Sequence, residues 1–322
     1  SAHRRWLAPV LCFSPFAAAV APAARAGEVD INFQSSLDQS QQLALAYVPD
    51  ACRGKASPLL VMAHPMGGGR QWAKGIGYHE EAERRGWLVV CPELHGHRTG
   101  GATSLAAVEA QRDIIDAIDH MQANYTVDRS RVYLAGRSMG GMLAQVTAAK
   151  YPDRFACVVA GQAISDLAAW CSAAAPGMLE LIHKECLPFS DGTRFDYERR
   201  SPIRYASNFA HVPLILWHGS NDGVVPPAHS ETLVEAIRKH YPRQEPVHWL
   251  HGAGHNPINF PSRWICDQME HYVNTCDGVL RERTRFYREL NLVVDEPRTI
   301  FWLTIEPAAA ESFAEVKAAI RD

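Results

Sequence analysis

The chain carries the stretch Gly136-Arg137-Ser138-Met139-Gly140-Gly141. It lies between an apolar run at 131–135 and a helix-forming run, Met139–Lys150. This is the pattern G-x-S-x-G at a strand-to-helix turn. A serine lifted over the edge of a sheet must sit on a sharp, strained turn. Glycines two before and two after it remove side chains that would collide there. The helix that follows aims its N-terminus, with unbonded N–H groups, at negative charge developing beside the serine. Such a turn requires a sheet whose strands are followed by helices.

The rest of the chain supplies that sheet. Residues 28–33 and 42–48 alternate apolar and polar side chains, as edge hairpin strands do. Residues 59–63 and 87–91 are short continuous apolar runs, which fit strands buried on both faces. Further strands are expected at 131–135, 156–160, 213–217 and 246–250. Residues 71–85 read as a helix stopped by Gly86. Residues 105–125 carry Val108, Ile114, Ile115, Ile118 and Met121 at helical spacing. Helices are also expected at 227–240 and 263–274. Strands alternating with helices predict an α/β fold with a mostly parallel central sheet and helices on both faces.

Three segments fall outside that rhythm. Residues 1–26 have a basic start (His3, Arg4, Arg5), an apolar middle and Ala24-Arg25-Ala26 before Gly27. They read as a secretory signal peptide, so the chain is expected to be secreted, extracellular or periplasmic. Residues 162–210 hold no clean strand but many aromatics, and read as a lid insertion with Trp170 as a substrate-binding residue. Residues 291–322 read as a C-terminal extension or small appended module, with a strand at 299–305 and a helix at 308–320. The catalytic domain would then be 27–290. Of the eight cysteines, Cys12 leaves with the leader, Cys157 reads as a buried thiol, and the expected disulfides are Cys171–Cys186 and Cys266–Cys276.

A serine hydroxyl needs a base, and the base needs an acid to orient it. Both are sought after Ser138, at the ends of late strands. Asp222 follows strand 213–217 in a glycine turn, 84 residues after Ser138. His255 follows strand 246–250, 33 residues further on. Asp166 is a rival acid, better read as a helix cap. His251 is a rival base and His218 a structural residue. Activity should fall as pH drops through the titration of a histidine base. An oxyanion hole needs two backbone N–H groups: one from Met139, the other from the loop His64-Pro65-Met66-Gly67-Gly68-Gly69. Pro65 has no N–H, so Met66 is preferred and Gly67 second.

Other chemistries find less support. His95-Gly96-His97 has no third metal ligand at suitable spacing, and His79-Glu80-Glu81 does not make H-E-x-x-H. The triple glycine is neither a P-loop nor a dinucleotide fingerprint, so no cofactor is expected. Net charge is −3 with no basic stripe, which argues against nucleic acid as a partner. No apolar run is long enough for a membrane span.

The stretches LLVMAHPMGGG, VYLAGRSMGG, SPIRYASN, VPLILWHGSNDGVVP and HGAGHN together resemble the α/β-hydrolase superfamily. Within it, the chain is similar to the catalytic domain of the prolyl-oligopeptidase family and to the related dienelactone hydrolases, feruloyl esterases and polyester depolymerases. The resemblance implies an α/β-hydrolase fold with Ser138 as nucleophile, His255 as base and Asp222 as orienting acid. It implies a carboxylic ester hydrolase acting on a small or polymeric ester, such as a feruloyl ester or a polyester. Two other readings are a serine peptidase or amidase with the same triad and an inactive hydrolase fold used for binding. The segment between the leader and residue 59 is too short for the propeller that precedes the catalytic domain in oligopeptidases.

Overall fold

A computed structural model of the chain describes residues 27–98, 104–240, 247–256, 260–275 and 288–321. The expected leader and Cys276 lie outside the described residues. The chain opens with the hairpin β1 (Gly27–Gln34) and β2 (Gln41–Val48), paired antiparallel. There follow β3 (Ser57–Ala63), α1 (Trp72–Gly75), α2 (Tyr78–Arg85), β4 (Leu88–Pro92) and α3 (Val108–Asn124). Next come β5 (Val127–Arg137), α4 (Met139–Lys150) and β6 (Cys157–Gly161). An all-helical stretch holds α5 (Leu167–Ala173), α6 (Pro176–Glu185), α7 (Arg194–Arg199) and a kinked 3-10 segment, Pro202–His211. The sheet resumes with β7 (Leu214–Gly219), α8 (Ala228–Arg238), β8 (Val247–Leu250) and α9 (Ser262–Thr275).

Strand order is β1-β2-β4-β3-β5-β6-β7-β8, antiparallel through β2–β4 and parallel from β4 to β8. The central strands are apolar on both faces because each face is covered. Leu59, Val61, Val132, Leu134 and Val158 join the core beneath α3 and α4. Their neighbours Leu60, Met62, Tyr133, Ala135, Cys157 and Val159 join a second core beneath α2 and α9. Alternate residues point to opposite faces, so a continuous apolar run is what a doubly covered strand requires.

Three expected elements differ. The single strand expected at 299–305 turns back at Phe301, with φ +54°, into the hairpin Arg298–Ile300 and Leu303–Ile305. The helix expected at 71–85 is broken into α1 and α2 at Gly77, whose φ of +85° suits glycine. The helix expected at 308–320 is instead a strand. After β9 (Glu289–Val294), the hairpin β10 (Arg298–Ile300) and β11 (Leu303–Ile305) leads to β12 (Ala314–Ala319), which pairs antiparallel with β9. The sequence AEVKAA suits a helix locally, but pairing with the buried strand ELNLVV overrides that preference. Leu290, Leu292, Val294, Ile300 and Ile305 give this C-terminal unit a small core of its own. The expected Cys171–Cys186 disulfide is absent. Both are buried thiols. Cys157 is a buried thiol on β6, as expected.

The C-terminal unit docks where α4 ends. Asn208 donates to both Ala149 O and Val293 O at 2.9 Å, and its Oδ1 accepts from Val293 N–H at 2.7 Å. One buried amide therefore ties α4, the 3-10 segment and β9 together. Beside it, Lys150 Nζ lies 2.7 Å from Asp295 Oδ2, both side chains fully buried, with Arg199 at 2.9 Å from the same oxygen. Burial alone raises the Asp295 pKa, but the charges of Lys150, Arg199 and Arg298 outweigh it and hold it at about 2. Because the folded value lies below the unfolded one, the stabilisation is present above the usual carboxylate range and lost as pH falls towards 2. Removing one partner of a buried pair costs about 3–5 kcal/mol, and Arg199 should keep the loss near the lower end. Lys150→Met is therefore expected to lower the denaturant midpoint and raise the pH at which acid unfolding begins, both read by circular dichroism. An unchanged acid transition would contradict this account of the cluster.

Candidate active site

The site is assembled from the C-terminal ends of parallel strands. β5 delivers Ser138 into the turn that starts α4, with φ 56° and ψ −122°. That conformation costs a non-glycine residue about 1–3 kcal/mol. The glycines make room for it. A Cβ on Gly136 would stand 2.1 Å from Gly140 O, and one on Gly140 would stand 2.0 Å from Ala63 O and 2.5 Å from His64 O. The turn is thus pressed against the end of β3. Ser138 N–H is bonded to Gly161 O at the end of β6, 2.8 Å away.

The turns after β7 and β8 bring the other two candidates to Ser138. His255 Nε2 lies 3.0 Å from Ser138 Oγ, and His255 Nδ1 lies 2.7 Å from Asp222 Oδ2. Asp222 is wholly buried at its side chain, while His255 retains 14 % exposure. Asp222 Oδ1 accepts from the N–H groups of Val224 (3.0 Å) and Val225 (2.9 Å). Burial works against ionisation of Asp222, but its bonds to His255, Val225 and Val224 prevail and place its pKa below the ordinary carboxylate range. An ionised acceptor at Nδ1 fixes the imidazole tautomer that leaves Nε2 free to take a proton from the serine.

His218 supports the acid from beneath. Its Nε2 is 2.9 Å from Val225 O and its Nδ1 is 2.7 Å from Ser230 Oγ. Burial lowers its pKa, so the ring stays neutral, donates to Val225 O and accepts from Ser230. Asp166, the rival acid, caps α5 by accepting Ala169 N–H at 3.0 Å. His251, the rival base, is exposed in the turn after β8.

Residues 65–68 form a tight turn closed by Gly68 N–H to Pro65 O at 2.9 Å, with φ +73° at Gly67. A positive φ at the third position is what a type II turn demands of glycine. Met66 N–H is in none of the loop's backbone bonds, and Met139 N–H, at the first position of α4, has no intrahelical acceptor. His64, buried at the end of β3, secures this loop. Its Nε2 lies 2.7 Å from Glu93 O and its Nδ1 lies 2.9 Å from Pro65 O. Glu93 also accepts Arg70 N–H at 3.2 Å.

Trp170 has a different setting from the one expected. Its side chain is buried, and its indole N–H is spent on Val224 O at 2.8 Å, so it braces the acid turn. Val224 is exposed at that turn, whereas its neighbour Val225 is buried. His95 is bonded to Asp113 and His97 to Glu109, each at 2.9 Å. Among the described residues no group of three His, Cys, Asp or Glu side chains could hold a metal ion, and no helix is long and apolar enough to cross a membrane. Sequence reading missed His64 and Gln162. Both are polar residues placed directly after a buried strand on the edge where Ser138 emerges, which was the available signal.

Comparisons with known proteins agree with this architecture. Residues 84–274 match the prolyl oligopeptidase family. Feruloyl esterase B of Talaromyces stipitatus is 27% identical over 189 residues, 56% of this chain and 52% of that protein. The acetylxylan esterase of Coprinopsis cinerea is 28% identical over 222 residues, 63% of this chain and 55% of that protein. The chain thus spans about half the length of these curated relatives. Among solved structures, a puromycin hydrolase superposes with a TM-score of 0.63 at 21% identity, covering 80% of this chain and 40% of that one. An S-formylglutathione hydrolase from Agrobacterium tumefaciens superposes with a TM-score of 0.60 at 19% identity, covering 77% of this chain and 94% of that one. With its parallel sheet, its serine turn and a family match over more than half its length, this chain belongs to the prolyl oligopeptidase family and has the α/β-hydrolase fold.

Proposed function

We propose that this chain is a secreted serine hydrolase that cleaves carboxylic esters through an acyl-enzyme. The observation that carries the reading is His255, bonded on one side to Ser138 and on the other to Asp222. Ser138 Oγ attacks the ester carbonyl as His255 Nε2 takes its proton. The tetrahedral oxyanion is held by the N–H groups of Met139 and Met66. Collapse of that intermediate expels the alcohol, protonated by His255, and water then repeats the sequence on the acyl-enzyme. No step needs a cofactor. Asp222 keeps its charge throughout and stabilises the transient imidazolium.

The feruloyl and acetylxylan esterases among its relatives support an ester, and the leader-like segment 1–26 supports export. A bulky or polymeric ester fits the insertion 162–210, which would act as a lid. Val224 and Met66 would meet the acyl group, with Trp170 acting at one remove through Val224. Peptidase or amidase activity is the second reading, favoured by the family match and the puromycin hydrolase fold.

Matched p-nitrophenyl esters and p-nitroanilides carrying the same acyl group separate the two. The expected result is ester turnover with little anilide turnover, and higher kcat/KM for feruloyl than for acetyl esters. Efficient anilide cleavage would favour the peptidase. Turnover of acetyl esters alone would remove the bulky-substrate reading.

A further inference from the structure

Gln162 and Arg137 lie beside the site, and the proposed reaction uses neither. Gln162 is the residue after β6, fully buried, with φ +48°. Its backbone N–H is bonded to Trp217 O on β7 at 2.7 Å. Its side chain reaches two other segments. Arg137 Nε donates to Gln162 Oε1 at 2.6 Å, and Gln162 Nε2 donates to Gly254 O at 2.7 Å. Arg137 is the neighbour of Ser138 in the chain, and Gly254 is the neighbour of His255.

The direction of this relay is fixed by chemistry. A guanidinium has only donors, so the atom of Gln162 facing Arg137 must be the oxygen, and the NH2 group must face Gly254. Arg137 is itself 3 % exposed, and burial lowers its pKa to about 10, which leaves it charged at neutral pH. The other side of the base loop rests on the acid loop. Asn221 N–H is bonded to Ala253 O at 2.9 Å, and Gly252 N–H to Ser220 Oγ at 2.7 Å. Gly219 has no room for a Cβ, which would stand 2.4 Å from Ala253 O. The segment before His255 is thus held by the acid loop at Gly252 and Ala253 and by Gln162 at Gly254 O, an oxygen that also accepts Asn256 N–H at 2.9 Å.

We propose that Gln162, oriented by Arg137, is a positioning residue that sets the distance between His255 and Ser138 by holding the Gly254 carbonyl. The inference rests on the serine-hydrolase reading. The informative variant is Gln162→Glu. It keeps the shape and the contact with Arg137, but replaces the donor facing Gly254 O with an acceptor. The loop is then repelled while the neighbouring ion pair supports the fold.

With a soluble p-nitrophenyl ester, the expected result is a fall in kcat of about 10- to 100-fold at an unchanged KM, the scale of a misplaced catalytic group. Fluorophosphonate labelling of Ser138 should slow in parallel, and the melting temperature should stay close to that of the unaltered chain. Should Gln162→Glu fail to fold, Arg137→Met provides the second arm. It frees the amide to turn over and should also lower kcat without moving KM. A kcat within twofold of the unaltered chain in a folded variant, or a loss shared between KM, kcat and melting temperature, would overturn the proposal. Labelling also distinguishes the two possible failures. No labelling of the unaltered chain refutes the hydrolase reading and this inference with it. A labelled unaltered chain beside an equally fast Gln162→Glu refutes only the role of Gln162.

Discussion

Replacing Ser138 with alanine is expected to reduce ester turnover by about a millionfold, and His255→Ala by a similar amount, while Ser138→Ala/His255→Ala costs little more than either alone. The reason lies in the 3.0 Å contact between His255 Nε2 and Ser138 Oγ. Neither group does the chemistry unaided. The hydroxyl is a weak nucleophile without a base, and the imidazole has no proton to take without the hydroxyl. Once one is gone, the other contributes almost nothing. What remains is stabilisation of the oxyanion by backbone N–H groups, which these substitutions leave in place. The measurement is single-turnover hydrolysis of a p-nitrophenyl ester by the four chains. Additive losses, with the double variant far below either single one, would mean that Ser138 and His255 act separately.

Gly140→Ala is expected to have the largest effect on folding. The added Cβ would stand 2.0 Å from Ala63 O and 2.5 Å from His64 O, and all of these are backbone atoms at the junction of β3, β5 and α4. No side chain can swing aside to relieve the contact. Overpacking a core commonly costs about 1–3 kcal/mol, and a clash with fixed backbone at the end of β3 should exceed that range. The variant should be insoluble or unfold at much lower denaturant than the unaltered chain. Gly67→Ala offers a control of another kind. Open space surrounds that position, so only the left-handed φ is strained and the loss should be small. Chemical denaturation of both variants checks the contrast, and a Gly140→Ala chain of ordinary stability would contradict the close approach of the serine turn to β3.

The sequence carried the sheet and the serine turn in plain view. An apolar run such as 59–63 has one use in a structure of this kind, and the G-x-S-x-G glycines are demanded by contacts under 3 Å. Asp222 and His255 were legible because each follows an apolar strand by a few residues in a glycine-rich turn. The long-range terms were not legible. Nothing local in AEVKAA reveals that it will lie against ELNLVV, and nothing in the composition of residues 162–210 reveals that the Trp170 indole will be bonded to Val224 O. Cysteines at a plausible loop spacing said nothing of where their sulfurs point. Gln162 escaped notice because its value depends on three segments that meet only in the fold.

Every residue of α4 is buried, Gln145, Thr147 and Lys150 included. A helix with no wet face cannot be finished by the sheet alone. Its first residue forms part of the serine turn, and its last is closed off by the Asn208 and Asp295 contacts of the 3-10 segment and the C-terminal unit. The strands nearest Ser138 in sequence can pair early, but the helix behind the serine remains wet until segments some 60 to 145 residues further along the chain arrive. The support behind the serine turn is therefore completed only when residues 288–321 are in place. Until β9 to β12 have been made and docked, Ser138 stands at the head of a helix whose far end is still open to water.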